Sequence, residues 1–110
     1  NQKIIPPLSC SYNQLTSLDL SNNTSLTSLK CSDNQLTSLD VSNNLALIYL
    51  SCSYNQLTSL DLSNNIALAG FSCTYNPNLS CINVDDFQYS YNNWFDIDAQ
   101  MYFSEDCYAK

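Results

Sequence analysis

Residues 13–23 read "NQLTSLDLSNN", and residues 55–65 repeat the phrase letter for letter. Residues 34–44, "NQLTSLDVSNN", differ at one position. Aligning the copies gives a period of 21, with Leu15, Leu36 and Leu57 heading successive units. Each unit divides again. Its first half runs Leu15-x-x-Leu18-x-Leu20-x-x-Asn23 and its second Leu26-x-x-Leu29-x-Cys31-x-x-Asn34. The half-pattern recurs from Leu36, Leu47, Leu57 and Leu68, reaches back to Ile5 and, with the Asn replaced by Phe87, forward from Leu79. Eight half-units thus cover residues 5–87.

A fixed period of about 20 residues marks a solenoid, whose single repeat cannot bury its own apolar face and so stacks on its neighbours. Leu-x-Leu or Leu-x-Cys sends two side chains to one side of an extended strand. The Leu three positions earlier approaches the same core from the preceding turn. An Asn three positions after each strand satisfies backbone groups where the chain bends, and successive Asn residues form a column.

These residues resemble the leucine-rich repeat family, and most closely its nested bacterial subclass (the IRREKO type). There, Leu-x-x-Leu-x-Cys-x-x-Asn alternates with Leu-x-x-Leu-Asp-Leu-x-x-Asn. The resemblance implies an all-β repeat solenoid with short parallel strands on two sides and little or no helix. Residues 1–110 then form a single domain, with repeats over about 5–87 and a C-terminal cap over about 77–110. The segment Asn76-Pro77-Asn78-Leu79-Ser80-Cys81-Ile82-Asn83-Val84-Asp85-Asp86, followed by Trp94, Asp98 and Cys107, resembles the caps of secreted leucine-rich repeat proteins from Bacteroidota. In those proteins a sorting domain for type IX secretion often follows. Trp94, Phe95, Ile97, Met101 and Phe103 are the expected plug for the open end of the core.

The six cysteines separate into two sets. Cys10, Cys31, Cys52 and Cys73 recur every 21 residues in an inward slot and are expected to form a core column of thiols. Four thiols in a line make neither a tetrahedral metal site nor easy disulfides. Cys81 occupies an outward slot and Cys107 lies in the cap, so a Cys81–Cys107 disulfide is expected, and with it an extracellular or cell-surface location.

Ten acidic residues against three basic ones give a formal charge of −7, and His is absent. Such a chain is a poor ligand for nucleic acid or an anionic membrane, and no apolar run is long enough for membrane insertion. Hydrolytic triads and most metal centres lack their usual residue, so no enzyme and no cofactor is expected. Asp19, Asp40 and Asp61 fall on the outward side of Leu-Asp-Leu, where charge opposes sheet-to-sheet aggregation; Ca²⁺ bridging is the lesser reading. Asp85, Asp86, Asp96 and Asp98 around the cap are the other weak Ca²⁺ candidates, without the spacing of an EF-hand loop.

Comparing the repeats separates a uniform Asp face from a varied Cys face. The outward positions of the Cys face carry Thr27, Ser28, Lys30 and Asp33 in one coil, Ile48, Tyr49, Ser51 and Tyr54 in the next. Tyr12, Tyr54 and Tyr75 occupy equivalent positions, with Tyr49 nearby and Asp33 interrupting the run. These tyrosines are the candidate ligand-binding residues, for a protein or glycan partner; the competing reading has them packing along the turns. The leading expectation is a non-enzymatic recognition module. The alternative is a structural spacer or self-assembling element that associates through the N-terminal edge, unless Pro6 and Pro7 blunt it.

Overall fold

The computed structural model describes residues 8–108. Ile5, which opens the first half-unit, and the edge role of Pro6 and Pro7 lie outside the described residues. From Leu8 onward the chain winds as stacked coils. The Leu-x-Cys segments, with Phe71 in place of Leu in the last, form β1 (Leu8–Ser9), β2 (Ser28–Lys30), β3 (Tyr49–Ser51) and β5 (Gly70–Ser72), with β4 (Leu60–Asp61) on the other side of the coil. The first four named make one parallel sheet in the order β1-β2-β3-β5. Its register follows the sequence period: Leu8 pairs with Leu29, Leu29 with Leu50 and Leu50 with Phe71. Leu29, Leu50 and Phe71 are buried, as are the Leu residues leading the half-units, Leu26, Leu36, Leu47, Leu57, Leu68 and Leu79.

On the Asp side the expected strands gather towards the C-terminus. There β4 pairs with β6 (Cys81–Asn83), and β6 with β7 (Tyr102–Ser104). Like charges facing each other across neighbouring strands oppose close pairing, and Asp19, Asp40 and Asp61 recur coil after coil. Pairing begins where Asp61 meets Asn83, whose Nδ2 donates to the Asp61 carboxylate at 3.1 Å.

The Asn columns tie the coils together. Asn55 Nδ2 donates to the carbonyls of Cys31, Cys52 and Ser53 at 3.0–3.2 Å, while its Oδ1 accepts from Leu36 N at 3.0 Å. Asn34 and Asn76 repeat the arrangement. On the Asp side, Asn44 and Asn65 donate to carbonyls of the preceding coil, but their buried Oδ1 atoms meet no donor among the described residues.

Past Phe87 the sequence pattern ends but the solenoid geometry does not. The cap forms a short helix, α1 (Phe87–Asn93), while the described repeats form none, in keeping with the expected near-absence of helix. Asp86 starts it by accepting from Tyr89 N at 3.1 Å, an ordinary N-cap. The chain then imitates a further coil. Asp96 bridges in parallel to Ser72, its carbonyl accepts from Cys73 N, and β7 extends the second sheet. Asp98 accepts from Tyr75 N (2.9 Å) and Asn76 N (3.1 Å). One coil earlier the equivalent N–H of Tyr54 is answered by a backbone carbonyl, that of Thr74.

Trp94, Met101 and Phe103 are buried as the plug, with Ile97 packed against them and the Trp94 indole donating to Ala69 O. Phe95 is a correction to the expected plug: it is 76% exposed. Trp94 is extended, so its ring turns inward and the next side chain is thrown outward. The Cys81–Cys107 disulfide is formed, closing a loop with a sequence separation of 26.

Candidate functional site

The turn that follows each Cys-side strand sets the geometry of the tyrosine column. For the Asn side chain to reach the carbonyls two and three residues before it, the chain turns sharply at the residue preceding that Asn. Tyr12, Asp33, Tyr54 and Tyr75 hold this position, with φ of 61°, 60°, 58° and 60°. A left-handed conformation suits short polar residues such as Asp and Asn and disfavours larger side chains. Asp33 meets the backbone's requirement; the three tyrosines sit there against it.

Their rings face outward, with Tyr12 83%, Tyr54 49% and Tyr75 60% exposed. Tyr54 and Tyr75 stack with ring centres 4.3 Å apart and planes 11° from parallel. Asp33 stands in the column between Tyr12 and Tyr54. The Tyr54 hydroxyl is pushed above its ordinary range, by local desolvation first and then by Tyr75, Asp33 and Tyr12. Tyr49 is placed differently. It lies half-buried on β3, with its ring against the backbone of Gly70 on β5.

Beside the column runs a line of hydroxyls that the sequence reading did not single out. Thr74 Oγ1 donates to Ser53 Oγ (3.1 Å), Ser53 and Ser72 share a bond of 2.9 Å, and Ser72 Oγ donates to Asp96 (2.7 Å). The recurring Ser in the outward slots was the available signal. A second missed feature is an open pocket of about 530 Å³ in the cap, walled by Phe87, Tyr91, Trp94, Phe95 and Tyr102 among others. These aromatics follow no repeat, and their convergence depends on α1.

The other candidates have structural work. Cys31, Cys52 and Cys73 are free and buried, and Cys10 is half-buried. Cys10, Cys31 and Cys52 direct Sγ to the carbonyl of the adjoining coil at 3.5–3.7 Å. Burial pushes the Cys31 thiol up to about 12, and the adjacent Cys73 raises Cys52 well above its ordinary range, with burial acting the same way. Asp19 and Asp40 each accept from the N–H and hydroxyl of the Ser two residues on, at 2.6–3.0 Å, which lowers their carboxyls. Asp61 is raised by desolvation but lowered on balance by its bonds to Ser63 and Asn83. Asp86, Asp96 and Asp98 are engaged in the cap, and Asp85 is exposed. Among the described residues no cluster of three or more His, Cys, Asp or Glu side chains is arranged to hold a metal ion.

Parallel in-register coils of 21 residues, with Leu and Cys inward and Asn at every Cys-side turn, decide the architecture. The fold is a leucine-rich repeat solenoid. The chain is similar to a solved structure, the functional domain of InlJ from Listeria monocytogenes, which includes a cysteine ladder. The TM-score is 0.68 at 27% sequence identity, over 89% of this chain and 27% of that one. The chain therefore spans about a quarter of that structure's length. No family model matches it, and no curated protein does.

Proposed function

We propose that the chain is a non-enzymatic recognition module acting outside the cell or on its surface, and that it binds a protein or glycan through the tyrosine-bearing Cys face. The observation that carries this reading is the placement of Tyr12, Tyr54 and Tyr75 at positive φ. A short residue satisfies the backbone there, as at Asp33, so three exposed tyrosines at that position support a role for their rings at the surface. Exposed aromatic side chains beside small hydroxyls make effective anchors, because a large contact area is ordered at little entropic cost. Leucine-rich solenoids offer a rigid extended surface of this kind.

The location is supported by the Cys81–Cys107 disulfide, a bond that rarely persists in reducing cytosol. No helix among the described residues is long and apolar enough to cross a membrane. The Bacteroidota origin proposed for the cap rests on its resemblance to secreted proteins of that group.

The test is a binding screen of the oxidised chain against glycan arrays and extracellular proteins, repeated with Tyr54→Ala/Tyr75→Ala. A loss of at least about tenfold in the double variant is expected, the size of a modest aromatic hot spot. Ligands that all bind the variant normally would rule out this face. Light scattering over a wide concentration range separates this reading from self-assembly, which demands concentration-dependent oligomers.

A further inference from the structure

We propose that the interruption of the tyrosine column at Asp33 is a slot for the guanidinium group of an arginine on a protein ligand. The inference rests on the reading of the Cys face as a recognition surface and names the chemistry it recognises. Four equivalent turns carry Tyr12, Asp33, Tyr54 and Tyr75 in spatial order. Where two tyrosines are adjacent, their rings pack face to face at 4.3 Å. Tyr75 covers one face of Tyr54. The opposite face looks along the column towards Tyr12, two coils away, or about 9–10 Å at the spacing of parallel strands.

One ring is therefore missing from the column, and at that spacing a single flat group entering beside Asp33 would lie between Tyr12 and Tyr54. Beside that space is the Asp33 carboxylate. Its backbone N–H is used in the ladder, donating to Ser53 O at 3.0 Å, whereas the carboxylates of Asp96 and Asp98 are consumed by the cap. An aromatic ring without donors would strip water from Asp33 without replacing its hydrogen bonds. A guanidinium group supplies planarity, positive charge and paired donors together, and it stacks on aromatic rings while engaging a carboxylate. An ammonium group offers the charge without the flat faces. The formal charge of −7, with Lys30 the one basic side chain among the described residues, draws cations to this surface.

The experiment titrates the oxidised chain with two blocked tripeptides, Gly-Arg-Gly and Gly-Lys-Gly, following the Tyr12 and Tyr54 ring protons by NMR. The arginine peptide is expected to shift both rings and to bind several-fold more tightly than the lysine peptide. Asp33→Tyr fills the gap with the residue its sister turns already accept at the same φ, and should abolish binding while lowering the melting temperature by only a few degrees, the cost of a tyrosine at positive φ. Asp33→Asn keeps the turn, removes the charge, and should weaken binding by about tenfold. Equal affinity for the two peptides, unchanged binding by Asp33→Tyr, or no response at either ring would each overturn the slot. Failure of the wider reading looks different. A screened ligand lost by Tyr54→Ala/Tyr75→Ala but indifferent to Asp33→Tyr leaves the face standing and removes the slot; one indifferent to both variants removes both.

Discussion

A Cβ atom built on Gly70 would stand 2.8 Å from Cδ1 of Tyr49, so the absence of a side chain at one coil seats the ring of the coil before it. Gly70 is the only glycine in the chain, and its φ is not positive. Its role is close approach, not backbone freedom. Gly70→Ala should displace the Tyr49 ring and cost about 1–2 kcal/mol by overpacking. Thermal denaturation together with the Tyr49 ring resonances checks this; a stable variant with an unmoved ring would contradict it.

Asn55 holds three carbonyls and one N–H from two coils, all within the buried column. Asn55→Ala leaves several of these groups without partners, each costing about 1–3 kcal/mol. A loss of at least about 3 kcal/mol is expected in denaturant unfolding. Asn13, exposed and bonded among the described residues only to the carbonyls of Cys10 and Ser11, provides the contrast. Its replacement by Ala should cost about 1 kcal/mol or less.

Removing the disulfide with Cys81→Ser/Cys107→Ser frees the chain end from β6. From the loop it closes, the unfolded-state entropy model assigns it about 3–4 kcal/mol. Guanidinium melts should show that difference, and the plug around Met101 and Phe103 should be the first region to lose hydrogen-exchange protection.

The thiol column predicts an alkaline limit. In the folded chain Cys31 keeps its proton up to about 12, against an ordinary value of 9.0. Between those values the folded state binds more protons than the unfolded state, so its stability is complete below about 9 and declines as pH rises towards 12. Cys10, Cys52 and Tyr54, also raised, incline the curve the same way. Cys31→Val, borrowing the residue that the sister half uses at Val41, should flatten the decline in urea melts taken from pH 8 to 11.

Among the described residues Tyr12 stacks on no other aromatic ring, so nothing of that kind offsets the cost of its turn conformation. Tyr12→Asn should raise stability by about 0.5–1 kcal/mol, since Asn tolerates positive φ far better. A fall in melting temperature would show instead that the ring stabilises the folded chain.

The coils and their register were legible because each inward Leu, Cys and Asn answers to the same neighbour in every repeat. The outward tyrosines were legible as a row for the same reason. Their left-handed backbone was not, because nothing in Tyr itself announces it; the cue lies in Asp33 at the sister position and the Asn that always follows. The cap was readable in its buried Trp94, Met101 and Phe103, but Phe95 was misplaced because no period dictates which way a side chain faces beyond Phe87. The uneven second sheet was hidden too. It depends on Asp61 meeting Asn83, and that pairing exists only once the coils are stacked.

Asp98 gives the last coil, on one side chain, what another turn of backbone would have supplied. The end of the solenoid is thus indifferent to how many turns precede it. A tandem duplication or loss of 21 codons in the gene would lengthen or shorten the molecule by one step of about 4.8 Å, with the same terminus closing either product. Each such event also slides a tyrosine, or an aspartate, into or out of the outer row. The surface can therefore be respelled by copying alone, without any change to the residues that hold the coils together.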